Sequence, residues 1–186
     1  MSDTNPTAAS KFDDFAACYD SALARRLAAT GEDRSYFALR RIRWLKQALD
    51  SLGIRPENAI EFGCGTGANI SLLIDVGGVK SVVGLDVSAA SLEFANRLSV
   101  SMEARFYLTS EYQPAGDVDL AFCNGVFHHI PPSQRASAAS YVRSCLKPGG
   151  LFAMWDNNPW KGGAEVQYEC VASNLTYVSR RPNPPD

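Results

Sequence analysis

The segment that organises the chain reads Ala59-Ile60-Glu61-Phe62-Gly63-Cys64-Gly65-Thr66-Gly67-Ala68-Asn69. Its apolar beginning is typical of a buried strand, and a glycine-rich turn and a helical pattern follow. Glycines let the backbone turn tightly and approach a ligand with no Cβ in the way, and the following helix begins with free N–H groups. The segment therefore predicts a strand, a ligand-binding turn and a helix, with a nucleotide-like ligand at the turn.

Apolar runs alternate with helical patterns along the rest of the chain. Strands are predicted at residues 59–63, 81–86, 104–108, 118–123 and 151–156. The helical patterns between them are carried by Ile70, Leu73 and Val76, by Leu92, Ala95 and Leu98, and by Ala136, Ala139, Val142 and Leu146. This order predicts an α/β fold with a Rossmann-like, doubly wound and mostly parallel sheet.

The first 55 residues predict a helical lead-in to this sheet. Apolar residues at spacings of three and four indicate one helix from Phe12 to Leu27 and a second from Leu39 to Leu52, which ends at Gly53. We expect one domain over residues 1–186, with the lead-in at 10–55, a cofactor-binding core at 56–160 and an atypical short C-terminus at 161–186.

Composition favours an ordinary globular protein. The chain has 186 residues, 46% of them hydrophobic, and 18 basic against 20 acidic side chains give a net charge of -2. This balance provides no overall field for nucleic acid, and no apolar run reaches the roughly 18 residues of a membrane span. The first residues lack the blocks of a signal peptide, and the five cysteines show no C-x-x-C spacing. We therefore expect a cytoplasmic protein with reduced thiols and no membrane or nucleic-acid partner.

Two carboxylates refine the expected ligand. Glu61 lies inside the strand just before the turn, where it disfavours a pyrophosphate and favours an ammonium group. Asp86 ends the second strand, 19 residues after Gly67, and a carboxylate there can accept both hydroxyls of a ribose. Each motif alone is often only structural, and the G-x-G-x-G spacing differs from the G-x-G-x-x-G of dinucleotide sites. Their occurrence in this order predicts a cofactor site.

Together these motifs resemble those of the class I S-adenosylmethionine-dependent methyltransferases, and more narrowly their small-molecule branch. The resemblance covers about residues 10–160 and implies S-adenosyl-L-methionine as the cofactor. It implies that Glu61 lies near the cofactor's amino group and that Asp86 binds its ribose. The residues implied to lie against its methionine part are Gly63, Cys64, Gly65 and Gly67.

The resemblance extends beyond the second, third and fourth strands. It implies that Val87 packs on the adenine and that Asn124 and Gly125 pass beside the methionine end. Thr109 and Ser110 follow the third strand where the family usually has an Asp against the adenine amine, and that acid is absent from this sequence. In relatives the lead-in closes over the cofactor carboxylate, and the matching residues are Tyr19 and Arg41.

The implied reaction is in-line displacement of a methyl group from a sulfonium to a nucleophilic N, O or C atom of a small-molecule acceptor. The protein positions the partners and, where needed, removes a proton. Histidine, with a reference pKa of about 6.5, suits that role, and His128 and His129 follow the fourth strand. The structural alternative is that one packs at a helix start and the other bonds to backbone. Because adjacent side chains point apart, the pair does not predict a metal site.

The C-terminus departs from the family pattern, so that the strand region there is truncated or rearranged. Relatives usually continue after the fifth strand with a crossover helix and two strands, the last antiparallel, but only about 30 residues remain here. Residues 165–171 alternate like a strand and are predicted to lie antiparallel beside the fifth strand, and 175–178 indicate another strand. Residues 146–151 are predicted to form the turn into the fifth strand.

Three functions remain open from the sequence. The first is methyl transfer from S-adenosylmethionine to a small molecule. The second is a non-catalytic or degenerate S-adenosylmethionine-binding protein that acts as a partner subunit through its exposed sheet edge, and the same edge makes a homodimer an expectation. The third is a nicotinamide-dependent oxidoreductase, which the glycine spacing and Glu61 disfavour.

Overall fold

One six-stranded sheet dominates the computed structural model, which describes residues 34–99, 101–156 and 175–180. The strands are β1 (Asn58–Phe62), β2 (Ser81–Asp86), β3 (Ala104–Leu108), β4 (Val118–Asn124), β5 (Leu146–Asp156) and β6 (Leu175–Arg180). Their order is β3-β2-β1-β4-β5-β6, in which β1 to β5 are parallel and β6 is antiparallel to β5. The predicted Rossmann-like, mostly parallel sheet is therefore confirmed.

The helices follow the predicted pattern. They are α1 (Arg34–Ser51), α2 (Ile70–Asp75), α3 (Ala89–Leu98) and α4 (Pro132–Cys145), with a 3-10 turn at Phe127–His129. α1 ends just before Gly53, whose φ of 68° suits a residue without a Cβ. The predicted helix from Phe12 to Leu27 lies outside the described residues. No helix in the described ranges is long and apolar enough to span a bilayer.

Both faces of the sheet are covered. Successive residues of a strand point to opposite faces, so Ala59 packs with Leu73 and Leu45 on one side, whereas Ile60 packs with Val142 on the other. The first cluster lies under α1, α2 and α3, and the second lies under α4. Because both faces of β1 and β4 are buried, the sequences of these two strands are mostly apolar.

The strand order reverses between β1 and β4. In open parallel sheets, this switch point leaves a crevice at the carboxyl ends of the strands, where ligands bind. At the opposite end, the Asp119 carboxylate accepts the N–H groups of Glu57 at 2.8 Å and Asn58 at 3.0 Å, and the Asn58 side chain accepts the Asp119 N–H at 2.8 Å. These side-chain hydrogen bonds join β1 and β4 at the end of the sheet opposite the crevice.

Two predictions about the C-terminal strands need correction. α4 ends at Cys145 and β5 begins at once, so that the predicted turn at residues 146–151 is instead part of β5. The register passes from Val118 opposite Leu146 to Leu120 opposite Leu151, and the extra residues on β5 include Gly149 with a φ of 77°. The glycines therefore form an irregularity inside a strand rather than a turn before it.

The assignment of residues 165–171 to the final antiparallel strand is wrong. Leu175–Arg180 takes that position, pairing with β5 from Asp156 opposite Leu175 to Leu151 opposite Arg180. The other edge of this part of β5 pairs with β4, so both of its hydrogen-bonding edges are used. Residues 165–171 themselves lie outside the described residues.

Candidate active site

The glycine-rich turn after β1 lies at the switch point and uses its three glycines differently. Their φ values are 73° at Gly63, 53° at Gly65 and 77° at Gly67. A Cβ at Gly63 would lie 2.3 Å from a methyl of Val126, and one at Gly67 would lie 3.1 Å from the Phe106 ring. A Cβ at Gly65 would meet no atom of the described residues within 4 Å. The outer glycines thus allow close packing, whereas Gly65 borders open space that a ligand can fill.

Glu61 is the buried charge-bearing group of the site. It is 1% exposed, and its Oε1 accepts a hydrogen bond of 2.6 Å from the Asn69 amide. Its Oε2 is buried without a hydrogen-bond partner among the described residues. Burial raises the pKa of Glu61 from 4.5 to about 8, the Asn69 bond lowers it and Asp86 raises it. Such an oxygen is suited to a cationic donor that enters from the crevice.

Asp86 ends β2 beside the same turn. Its Oδ2 accepts the Gly65 N–H at 2.8 Å, and its Oδ1 accepts the Ser88 N–H at 2.9 Å. Each carboxylate oxygen keeps a second lone pair, so the carboxylate can still accept two hydroxyls. Val87, which follows Asp86, is 49% exposed. The Thr109 N–H donates to the Asp86 carbonyl at 2.9 Å, which brings the end of β3 and the exposed Ser110 to the same edge.

Cys64 lies in the glycine turn with its thiol packed inside the protein. Its side chain is buried, and a Cβ placed on Gly84 would lie 2.9 Å from its sulfur, so the thiol packs beneath the turn against β2. Burial raises the pKa of the Cys64 thiol, which therefore remains neutral.

The end of β4 forms the other wall of the crevice. Asn124 is half-buried there, and Gly125 follows with a φ of 70° and an N–H that donates to the Trp155 carbonyl at 2.8 Å. Val126 then packs against Gly63, so the segment after β4 directly adjoins the glycine turn.

The two histidines lie in the 3-10 turn, with ring centroids 3.8 Å apart. His128 Nδ1 lies 2.6 Å from Oδ1 of Asp156, a carboxylate whose side chain is 8% exposed at the end of β5. Burial lowers the pKa of His129, His128 lowers it further and Asp156 raises it. Sequence reasoning missed Asp156 because 28 residues separate it from His128. Its position at the carboxyl end of a predicted strand was the available signal.

The lead-in supplies one described residue. Arg41 is half-buried on α1, and desolvation lowers its pKa from the ordinary value. No ion pair joins it to a carboxylate within residues 34–99, 101–156 and 175–180. Tyr19, the other residue predicted to close over the site, lies outside the described residues.

Residues 59–150, which contain the glycine turn, both carboxylates and the histidine pair, match the family model for a methyltransferase domain. The chain belongs to the class I S-adenosylmethionine-dependent methyltransferase superfamily. Membership in this superfamily agrees with the predicted resemblance and leaves the nicotinamide-dependent alternative without support.

Known members of the superfamily that are similar to this chain have diverse acceptors. A trans-aconitate 2-methyltransferase of Azoarcus sp. is 30% identical over 128 residues, which are 67% of this chain and 50% of that protein. A ribosomal protein L11 methyltransferase of Vibrio cholerae is 32% identical over 132 residues, covering 67% and 39% respectively. The chain thus spans half or less of the length of these curated relatives.

The fold is shared with a methyltransferase of known structure. The plantazolicin methyltransferase BpumL, solved with a desmethyl plantazolicin analogue and SAH, superposes with a TM-score of 0.57 at 15% identity. The superposition covers 80% of this chain and 60% of BpumL.

Proposed function

We propose that this chain binds S-adenosylmethionine at the switch point and transfers its methyl group to a small-molecule acceptor. The observation that carries the proposal is the buried Oε2 of Glu61, which has no hydrogen-bond partner among the described residues and belongs to the strand that leads into the glycine turn. The ammonium group of an amino-acid moiety supplies the donor that such an oxygen needs. When bound, the cofactor supplies a methyl group made electrophilic by the sulfonium.

We assign each part of the cofactor to particular residues of the chain. Glu61 would hold the ammonium group, and Asp86 would accept the ribose hydroxyls while its backbone partners fix the carboxylate orientation. Arg41 carries the charge that a carboxylate needs. The other proposed contacts with the adenine are Val87, Thr109 and Ser110. Along the methionine part they are Asn124, Gly125 and the turn residues Gly63, Cys64, Gly65 and Gly67, and Tyr19 is proposed to bind the carboxylate together with Arg41.

His128 and His129 are the proposed catalytic residues. They lie just after Gly125, and a Cβ added at Gly125 would lie 3.8 Å from Cε1 of His128. Because Gly125 has no side chain, the His128 imidazole lies close to the end of β4, where the methionine part would lie. An imidazole there can remove a proton from an acceptor as the methyl group arrives.

Calorimetric titration of the purified chain tests the cofactor assignment. We expect micromolar binding of S-adenosylmethionine and S-adenosylhomocysteine and none of a nicotinamide dinucleotide. Glu61→Gln should weaken binding at least about tenfold, because it removes the ionic partner. Glu57→Gln is the matched control, since Glu57 is exposed at the opposite end of β1 and pairs with Lys80. Equal binding of the sulfur cofactors by wild type and Glu61→Gln would remove the ammonium assignment.

A second candidate function is binding of S-adenosylmethionine without catalysis. The contacts of Glu61 and Asp86 concern cofactor binding and do not themselves require methyl transfer. Transfer of a radiolabelled methyl group to small acids, phenols and amines separates the two. Labelled product favours the enzyme, whereas cofactor binding with no product favours a binding protein that acts as a partner subunit.

A further inference from the structure

The contact between His128 and Asp156 joins two strand ends that are far apart in sequence. Nδ1 of His128 lies 2.6 Å from Oδ1 of Asp156, a short distance for a hydrogen bond between a ring nitrogen and a carboxylate. Asp156 is the last residue of β5, and His128 belongs to the turn that follows β4.

The backbone holds both partners in place. The Gly125 N–H donates to the carbonyl of Trp155 at 2.8 Å, which ties the turn to β5 one residue before Asp156. Trp155 and Asp156 also pair with Thr176 and Leu175 of β6, so the end of β5 is braced on both sides. Groups held by strands in this way keep a fixed geometry better than groups on a free loop.

This geometry determines which nitrogen of His128 can act as a base. An ionised carboxylate only accepts hydrogen bonds, so the bond to Asp156 requires a proton on Nδ1. In the neutral ring the lone pair then resides on Nε2. Asp156 and His129 both lie beside the ring. The Asp156 carboxylate keeps its hydrogen bond to Nδ1 when Nε2 takes a proton.

We propose that Asp156 is a positioning residue that holds His128 with a basic Nε2, and that the methyl acceptor is a hydroxyl group. This inference rests on the proposed function. A carboxylate acceptor, with a pKa of about 4, is already anionic at neutral pH and needs no base. A hydroxyl oxygen is a weak nucleophile until its proton is removed. A hydroxyl acceptor therefore needs a base such as His128 held by Asp156.

The atoms balance as follows for a hydroxyl acceptor. The hydroxyl oxygen forms the new O–C bond, its proton passes to Nε2 of His128, and the electron pair of the broken C–S bond stays on sulfur. The imidazolium remains hydrogen-bonded to Asp156 until the proton leaves to solvent.

Nitrogen NMR of the ring tests the positioning role without any substrate. The chain has two histidines, so a His129→Asn variant assigns the signals of His128. We expect the neutral His128 ring to carry its proton on Nδ1 in the full-length protein. In Asp156→Asn the proton population should shift toward Nε2. Asp75→Asn, which alters an exposed carboxylate of α2, should change nothing. A wild-type ring protonated on Nε2 would overturn the proposal.

Methyl transfer to matched probes tests the acceptor class. The probes are simple phenols and the corresponding benzoates, with S-adenosylmethionine carrying a labelled methyl group. We expect transfer to phenols, with kcat at least about tenfold lower in Asp156→Asn. KM and cofactor affinity should remain within about twofold of wild type, and Asp156→Glu should restore part of kcat. Transfer to benzoates alone, or an unchanged kcat in Asp156→Asn, contradicts the inference.

The two proposals fail in different ways. Failure of the wild type to bind S-adenosylmethionine in the calorimeter would remove the proposed function. The NMR measurement of His128 would still decide whether Asp156 sets the tautomer, because it needs neither cofactor nor acceptor.

Discussion

Glu61 combines a stability cost with its proposed binding role. The folded protein buries it almost completely, and its pKa rises from 4.5 to about 8. A carboxyl group whose folded pKa is raised contributes stability that is fully present below its unfolded pKa and is lost as pH rises through the folded pKa. The unliganded protein should therefore lose stability between about pH 4.5 and pH 8.

The substitution Glu61→Gln should raise the melting temperature of the unliganded protein at pH 8 by several degrees and change little at pH 4.5. The amide resembles the protonated carboxyl and carries no charge to desolvate. Thermal melts across this pH range measure the effect, with Glu57→Gln as the exposed control. A lower melting temperature for Glu61→Gln at pH 8 would mean that the buried charge is stabilised by the fold.

Binding of S-adenosylmethionine should release a proton at pH 7. Glu61 is then mostly protonated in the unliganded protein, because its pKa is about 8, and an ammonium partner favours the ionised form. Affinity should consequently rise from pH 6 to pH 8. Calorimetry at pH 7 in phosphate and in Tris detects the proton as a difference in apparent enthalpy. The difference should be absent in Glu61→Gln, and its absence from the wild type would show that Glu61 does not titrate on binding.

The residues of the site differ in how far the sequence predicts them. Glu61 and Asp86 were identifiable because each has a fixed distance from the glycine turn along the chain. Asp156 has no such local signature, since only the pairing of β4 with β5 brings it to His128. The packing of Cys64 beneath the turn was equally invisible, because it depends on the space left by Gly84 on the neighbouring strand.

At the level of elements, Asp119 fastens the start of β4 to the start of β1. Burial acts to raise the pKa of Asp119, but the Lys147 ammonium and the N–H groups of Asn58 and Glu57 lower it overall. A lowered carboxyl pKa contributes stability that is present above the unfolded value of 3.8 and is lost as pH falls through the folded value.

Asp119→Asn should therefore reduce the free energy of unfolding by about 1–2 kcal/mol at pH 7, because charge-assisted hydrogen bonds are lost. The deficit should shrink on acidification below pH 3.8, where wild type loses the same charge. Urea unfolding at both pH values measures it. Asp75→Asn provides the exposed control, and a deficit that is independent of pH would show that the carboxylate charge does not fasten the strands.

The boundaries of the first four strands were predicted to within one residue. β2 and β3 occupy the predicted residues, β1 is shifted by one residue at each end, and β4 is one residue longer than predicted at its carboxyl end. The beginning of β5 was missed because Pro148 and two glycines are typical of a turn. Pairing with β4 on one side nevertheless extends the strand through them. Tertiary hydrogen bonds here override the local preference.

At the scale of the whole molecule, the sheet ends in one antiparallel strand that covers β5. Deleting residues 175–186 should lower the melting temperature and promote association, because β5 would present an unpaired edge. Thermal melts and light scattering measure the two effects. The deletion should also perturb the NMR signals of His128, since Asp156 pairs with Leu175. An unchanged melting temperature would mean that β6 does not stabilise the sheet.

The parallel direction of β1 to β5 followed from the sequence because alternating strands and helices connect parallel strands. The sequence did not predict which of residues 165–171 and 175–178 forms the last strand, because both segments alternate between apolar and polar residues. Only the pairing with β5 distinguishes them.

The hydrogen bonds of the glycine turn disfavour an anion as its ligand. The N–H groups of Gly63 and Cys64 donate to the Leu85 carbonyl at 2.7 and 3.0 Å, and that of Gly65 donates to Asp86. Three consecutive backbone donors, which a phosphate-binding loop would aim at an anion, are thus consumed by β2. Conversion of this turn to a phosphate site would require its detachment from β2, and replacing Glu61 alone would not achieve it.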